Sequence, residues 1–493
     1  MLKLLLPLIF GIITGEYLTW TAIPLLCLTG IMLTIFVWII LVFFVLNRFK
    51  HTIGWLTSIF MMIMGILMCS FEHYKHNISV SNSEGCNKGI VVTEAKETAK
   101  CRMFHVRLQS GGYVQLYLRK GSSNKLPSVG DAIMFYGKIK EIQNWEEATF
   151  DYAHLMKHRG IIGQCFTTNY KSLTKAESKC LYLSLPFISK IKIWGIKIRT
   201  KLLHHYDNLS MPSHHLSILQ AMTLGKKDNL DKKTKQIFSH TGTSHILALS
   251  GLHLGILTML LLTILHPFRG NVWRNTCISF TIVLIIWTFV IITGAATSTI
   301  RAAIMFSIYT ILYMVKHDTN SFNSLILAAF IILLVSPLEL FEVGFQLSFI
   351  SVFFIVASTP FYNSIRPKSR IKQIGCDFLF ITLIAQIGTM PLVAYLFHNI
   401  PLLSLFSNII VIPCTYIIIG GALLYFIFSP ITIIHVLFGQ ILVYTTNLMM
   451  KYIGCISNIP YSHIEVHPDI FTTILLYALL LICINAMTRK ITF

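Results

Sequence analysis

The sequence predicts a polytopic α-helical membrane protein of about twelve transmembrane helices, with an inserted extracytoplasmic all-β, OB-like domain. Three observations predict it. Of 493 residues, 54% are hydrophobic and only 12% charged, with a mean hydropathy of +0.68, whereas soluble domains carry about 25% charged residues. Apolar runs of membrane-spanning length recur between charged or Pro/Gly-rich breaks, and one long polar stretch, 74–240, interrupts them. A soluble enzyme is thereby excluded. The formal charge of +20, carried by so few ionisable residues, points to strong topogenic signals, anionic lipid or an anionic substrate such as nucleic acid.

Each crossing of the hydrocarbon core needs about 20 apolar residues. Three such runs lie at 4–20, 23–46 and 53–71, and nine more at 245–265, 276–294, 298–315, 322–336, 343–358, 377–397, 402–428, 430–456 and 470–487. Lys3 ahead of the first run resembles a signal peptide, but no small-residue cleavage site follows and Leu26 before Cys27 makes a poor lipoprotein site, so the first run reads as a retained helix. The organisation expected is 1–73 amino-terminal helices, 74–180 an OB-like barrel, 181–240 basic amphipathic helices on the membrane surface, and 241–493 a transmembrane channel region.

Cytoplasmic loops are enriched in Lys and Arg. With Arg48 and Lys50 inside, alternation also puts Arg269, Arg274, Lys316, Arg366, Lys368, Arg370, Lys372, Arg489 and Lys490 inside. The opposite loops are neutral or acidic, with Glu16, Glu339 and Glu342. Both termini are expected in the cytoplasm, the polar stretch outside it, and the whole chain in the inner (plasma) membrane.

Within the outside stretch, Phe104, Val106 and Leu108 alternate with His105 and Arg107, and Val114, Leu116 and Leu118 with Gln115, Tyr117 and Arg119. This period of two marks strands, and Gly111-Gly112 reads as the turn between them. With Gly89–Thr93, Asp131–Glu141 and Ile161–Phe166, about five strands result, enough for a small closed barrel. From 181 to 240 the pattern turns helical and basic, with Lys190, Lys192, Lys197, Arg199 and Lys201, then Lys226, Lys227, Lys232, Lys233 and Lys235. Cys86, Cys101, Cys165 and Cys180 lie in the outside stretch, where disulfides are chemically permitted, with no pairing specified. No metal-type CxxC pairing and no HxHxDH signature occurs, and no cofactor is expected.

Polar residues inside the membrane are costly and therefore functional candidates. Ser250, His253, Arg301, Glu342, Gln346, His398 and Asn408 all fall at the outward ends of their helices under this topology. Their convergence predicts a wet cavity opening outward and lining a translocation pathway. Gly251, Gly255, Gly294 and Gly344, interspersed among them, read as close-packing positions between helices.

Four segments occur in fixed order: ALSGLHLGIL at Ala248–Leu257, Gly-Ala-x-x-Ser-x-x-Arg-Ala-x-x-Met at Gly294–Met305, VGFQLSF at Val343–Phe349, and TMPLVAYLFHNIPLLSLFSNIIVIP at Thr389–Pro413. Together they resemble the competence region of the ComEC family, inner-membrane proteins of natural transformation. Asn144–Gly163 is also similar to the end of that family's extracytoplasmic OB-like domain. The resemblance implies a channel importing single-stranded DNA. Implied partners are membrane lipids, a periplasmic DNA-binding competence protein, and a cytoplasmic helicase-like ATPase with single-strand binding proteins. Many relatives continue into a metallo-β-lactamase-like domain, whereas this chain stops at Phe493; a short form acting with a separate nuclease is the expectation.

A polyanion needs an electropositive path, with aromatic platforms where bases are held. Arg107, Tyr113, Tyr117 and Arg119 on the barrel, with Lys226 and Lys227, are the DNA-binding candidates. No motor is expected in this chain. Leu224-Gly225-Lys226 resembles the end of a P-loop, but Gln220 stands where its first Gly belongs and Lys227 where Ser or Thr would hold magnesium. No catalytic residue is assigned. Two other readings remain: a transporter for a small anion or lipid, and an intramembrane hydrolase using Ser250 and His253, which share a helix face at i, i+3.

Overall fold

The computed structural model describes residues 2–17, 29–36, 38, 50–76, 85–97, 101–120, 126–144, 152–153, 156, 160–316 and 321–489. The chain forms two compact units, one of residues 1–198 with 330–340, the other of 199–329 with 341–493.

In the first unit, helices α1 (Leu2–Tyr17) and α2 (Lys50–His76) pack on each other. The contact is close because glycine faces backbone: a Cβ on Gly65 would stand 2.5 Å from the Leu8 carbonyl oxygen, and one on Gly11 would collide with the Met62 carbonyl. Small residues allow such approach where lipid supplies no hydrophobic drive. The sheet follows, with β1 (Gly85–Val91), β2 (Lys96–Glu97), β3 (Cys101–Leu108), β4 (Tyr113–Arg119), β5 (Ala132–Gly137), β6 (Ile161–Thr167) and β7 (Tyr170–Ser172); six run in the order β6-β4-β3-β1-β5-β7, and β2 pairs with β3 off this path. Neighbours are antiparallel except β4 and β6, which run parallel. An isolated antiparallel bridge between Lys140 and Gln164 joins the segment after β5 to β6, returning the sheet on itself. Gly111 and Gly112 turn β3 into β4 with φ of 99° and 78°, a region glycine enters freely.

The alternating residues build the sheet's core: Phe104, Val106, Val114, Leu116 and Leu118 are all almost wholly buried. Gln115 departs from the expected outward face, being only 1% exposed; its amide donates to Met103 Sδ and to Tyr117 Oη. Short β2 and β7 lack the alternation that marked the other strands. Cys86, Cys101, Cys165 and Cys180 are thiols, and burial pushes the pKa of Cys165 up to about 11. Helix α3 (Lys175–Ser184) starts at a Thr174–Glu177 capping box, and Lys88 of β1 bonds Glu177 at 3.0 Å. Ile193 and Ile196 of α4 (Phe187–Tyr206) join Ile90, Val129 and Leu181 in a second apolar cluster.

The second unit is helical: α5 (Ser213–Leu224), α6 (Lys232–His240), α7 (Ser244–Leu247), α8 (Gly251–Leu265), α9 (Val272–Ile292), α10 (Thr297–Lys316), α11 (Ser321–Val335), α12 (Val343–Ile365), α13 (Arg370–Phe397), α14 (Ser404–Ile427), α15 (Thr432–Ser457) and α16 (Ile470–Arg489). α11 begins here and ends in the other unit. Strands β8 (Asn399–Pro401) and β9 (His463–Glu465) pair antiparallel. Lining this unit's core are Tyr206, Ile218, Phe238, Ile418, Tyr425 and Met449. Helix α5 differs from the surface-lying helix expected over 181–240: Ser217 to Leu224 are all buried, because both its faces meet other helices, α14 and α15 among them.

Eight helices among the described residues are long and apolar enough to cross a membrane. They correspond to eight of the twelve expected spans. The run at 298–315 forms α10, whose first turns are polar; 322–336 gives α11, 15 residues long; 4–20 gives α1, 16 residues long. The run at 23–46 lies mostly outside the described residues, as does much of Asn144–Gly163. Lipid-exposed side chains account for the apolar outer surface: on α16, Phe471 is 70% and Ile482 64% exposed, which water would penalise and acyl chains do not. The chain is a multi-pass membrane protein with an inserted β domain.

Candidate functional site

The polar ends of the helical unit are assembled by two glycine turns. Gly225 ends α5 in the left-handed region (φ 74°), and a Cβ there would stand 2.8 Å from both Leu249 Cδ1 and the Thr293 carbonyl oxygen. The turn carrying Lys226 and Lys227 is thus seated on the segment before α8 and on the end of α9. Gly294, also left-handed at φ 93°, follows Thr293, and its missing Cβ leaves room for Arg199: Nη1 would lie 2.8 Å away. Arg199, 9% exposed, donates from Nη1 to the Thr293 carbonyl at 3.3 Å, neutralising part of the negative end of α9.

Ser250 is the N-cap of α8, in extended conformation. Its backbone N–H donates to His253 Nδ1 at 3.3 Å, and its Oγ lies 3.1 Å from the same nitrogen. An acceptor at Nδ1 places the imidazole proton on Nε2. His253 is fully buried, and Nε2 has no hydrogen-bond partner among the described residues. Lys227 and His245 are its titratable neighbours. Both have exposed side chains although surrounding protein desolvates them. That desolvation holds the Lys227 ammonium below the ordinary lysine range, against the pull of Asp228.

Ser298 Oγ donates to the Leu249 carbonyl at 2.8 Å, binding α10 to the same segment. One turn on, Arg301 is 4% exposed, and its Nη2 lies 2.7 Å from where a Cβ on Gly344 would stand. Gly344 is therefore the seat of the Arg301 guanidinium. Glu342 stands at the N-cap position of α12 just ahead of it, and Gln346 follows one turn later, both half-buried. Of the other glycines, Gly255 would bring a Cβ 3.1 Å from Phe306 Cζ, while Gly251 would meet Ala302 Cβ at an ordinary 3.9 Å. Ser250, His253, Arg301, Glu342, Gln346 and Gly344 thus gather on α8, α10 and α12, which pack in succession.

His398 and Asn408 are held by other elements. His398 closes α13 in the left-handed region (φ 53°) and packs against His467 with ring centroids 4.6 Å apart. Asn408 is buried in α14, with Oδ1 unpartnered among the described residues. The Gly242 turn rests on Pro401 and Ser404, and His240 stacks on His463 at 3.8 Å.

On the β domain, Arg107 lies over the Tyr113 ring at 5.2 Å and donates to its hydroxyl, which also meets Ser189 of α4. Tyr117 is stacked on Phe166, centroids 4.6 Å apart and planes 10° from parallel; Phe166 is 58% exposed, and so is the side chain of Arg119 open to solvent. Sequence reasoning missed Phe166, Arg199 as a buried cation, His245, and the His240–His463 stack. A weak signal existed for the last, since His463 and His467 stand in a short loop between apolar runs.

Residues 222–490, more than half of the chain, match the family described as Competence protein. The chain belongs to the ComEC-type competence protein family. It is 29% identical over 320 residues to ComE operon protein 3 of Bacillus subtilis (strain 168), covering 64% of this chain and 37% of that protein. It is 25% identical over 250 residues to an uncharacterized protein of Aquifex aeolicus (strain VF5), covering 50% of this chain and 57% of that one. The match to either relative takes in less than two thirds of that relative's length. No solved structure matches. The family match contains every helix from α6 to α16, and with them Lys226, Lys227, Ser250, Arg301 and Gly344.

Proposed function

We propose that this competence-family chain is an inner-membrane channel that passes single-stranded DNA into the cytoplasm during natural transformation. The observation that carries the reading is the placing of Arg199, Lys226 and Lys227 at the Gly225 and Gly294 turns, with His245 and His253 beside Lys227 and Arg301 seated on Gly344, at one end of a helical unit. That end is opposite the one bearing Arg269, Arg274, Arg366 and Lys368, so by the positive-inside rule it faces outward. A polyanion arriving from outside meets the lysines of the open turn and then the buried Arg199 and Arg301, whose low-dielectric setting makes each attract phosphate more strongly than in water.

The inserted β domain reads as an OB-like barrel outside the membrane. Support comes from its ring of β1, β3, β4, β6 and β5, closed at Lys140–Gln164 with β4 and β6 parallel, and from the exposed Tyr117–Phe166 stack, a platform suited to bases. The twelve-span topology places both termini in the cytoplasm. With the cytoplasm negative, each inward phosphate charge opposes about 2.3 kcal/mol per 100 mV. The channel is passive, and a cytoplasmic helicase-like ATPase with single-strand binding proteins supplies direction, after delivery by a periplasmic DNA-binding protein.

A hydrolase is favoured by one observation, the 3.1 Å Ser250–His253 contact. A working nucleophile–base pair needs an acid to orient the histidine, and His253 Nε2 has no such partner among the described residues. The deciding experiment follows fluorescent DNA in a deletion strain. Label stalling outside the inner membrane, restored by the wild-type gene, is expected; label reaching the cytoplasm without the protein overturns the channel.

A further inference from the structure

A mixed donor cluster joins α1 to α2, in the unit that does not carry the cationic site. Gly11 and Gly15 form a GxxxG stripe on α1. A Cβ on Gly15 would stand 3.0 Å from Cys69 Cβ, so the two helices approach as closely here as side chains permit. Glu16, the next residue, is thereby delivered to α2 one turn from its end. His73 Nε2 lies 2.9 Å from Glu16 Oε2, and Cys69 Sγ lies 3.5 Å from the same oxygen. Cys69 and His73 are one turn apart on one face of α2, and the three donor atoms all fall within 4.8 Å of one another. Cys69 is wholly buried, the Glu16 side chain is 11% exposed and that of His73 39%, so the cluster is closed on the sulfur side and open on the imidazole side.

We propose that Glu16, Cys69 and His73 bind a divalent transition metal of the zinc class, clamping α1 to α2. The donor chemistry selects the ion: one sulfur, one imidazole nitrogen and one carboxylate oxygen suit a borderline cation, whereas calcium and magnesium want oxygen alone. Spacing agrees. Metal–ligand bonds of about 2.0–2.3 Å in tetrahedral geometry set ligand atoms roughly 3.3–3.7 Å apart, close to the distances present. Binding replaces the proton shared by Glu16 and His73 and the Cys69 thiol proton, both released to water, and forms one bond to each of Oε2, Nε2 and Sγ. Three protein ligands leave a fourth position for water, reached from the exposed side of His73. Glu72, adjacent in the chain, adds a second carboxylate at this helix end, favouring a cation there.

The test uses the full-length protein purified in detergent, incubated with zinc or cobalt(II) and freed of excess ion. About one equivalent is expected on wild type, with cobalt giving the thiolate-to-metal absorption band that only a coordinated cysteine produces. Cys69→Ser should abolish the band, and His73→Ala and Glu16→Gln should each weaken binding at least about tenfold. Glu16→Gln retains the size and hydrogen-bonding capacity of the side chain and so guards against a folding artefact. Cys277→Ser, at an exposed cysteine outside the cluster, should leave the band unchanged. Zinc should also raise the thermal unfolding midpoint of wild type and not of Cys69→Ser. No retained metal in wild type, a band that survives in Cys69→Ser, or affinity unchanged in Glu16→Gln overturns the proposal.

Discussion

The helical unit and the β domain both carry arginines, and they hold them in opposite ways. Arg301 and Arg199 are 4% and 9% exposed, each fitted against a glycine that leaves it space. Arg107 of the barrel rides on the Tyr113 ring, and Arg119 projects into solvent. An exposed cation attracts phosphate over a Debye length and loses that attraction to salt. A buried one acts at contact, at a fixed point, and is little screened. Under the proposed function the difference separates two tasks for a polyanion: capture at the β domain, passage at the helix ends.

The comparison breaks most sharply at Arg301. Arg301→Ala should lower delivery of labelled DNA to the cytoplasm by about 100-fold, the equivalent of roughly 3 kcal/mol for a charged contact made in a desolvated site, while DNA bound outside persists. Equal loss of outside binding would merge the two tasks into one. Gly344→Ala is the companion test: the new methyl would press on the flexible tip of Arg301, 2.7 Å away, shifting the guanidinium without disturbing backbone. Uptake should fall about tenfold at unchanged membrane level, against little change for Gly251→Ala, whose nearest neighbour is 3.9 Å away.

The barrel prediction is smaller. Replacing Tyr117 and Phe166 with Ala removes the exposed stack, and a base platform is worth about 1–3 kcal/mol, so single-strand affinity of the purified protein should drop about 5- to 100-fold by fluorescence anisotropy. Arg119→Ala should instead flatten the salt dependence by roughly 0.7 in slope. A barrel with no salt-sensitive affinity in wild type would make it a docking or structural element and leave capture to another protein.

Periodicity and length carried most of the fold. The alternation from Phe104 to Leu118 marked β3 and β4 because one face is buried at every second residue, and eight apolar runs became helices of spanning length. What failed to show was burial dictated by neighbours far along the chain. Gln115 is polar yet enclosed by Met103 and Tyr117, and α5 is buried because α14 and α15, some 200 residues later, cover it. The site was legible as residue types, since Ser250, His253, Arg301 and Gly344 stand out in apolar surroundings. Their partners were not: Arg199 meets Thr293 across 94 positions, and no local pattern announces that Gly344 seats Arg301.

The smallest effect concerns Ser250, and it sharpens the comparison by asking whether the helical unit only contacts DNA or also reacts. Ser250→Ala removes the Oγ contact with His253 Nδ1 but keeps the backbone N–H that donates to the same atom, so the imidazole tautomer and orientation survive. A lost neutral hydrogen bond is worth about 1 kcal/mol, and uptake should stay within about fivefold of wild type. A catalytic serine behaves otherwise: its loss removes the nucleophile, and no backbone donor replaces it. Complete loss of uptake with normal membrane level and normal outside binding would make the Ser250–His253 contact chemical. Retained uptake leaves it a helix cap that holds α8 against the lysine-bearing turn after α5.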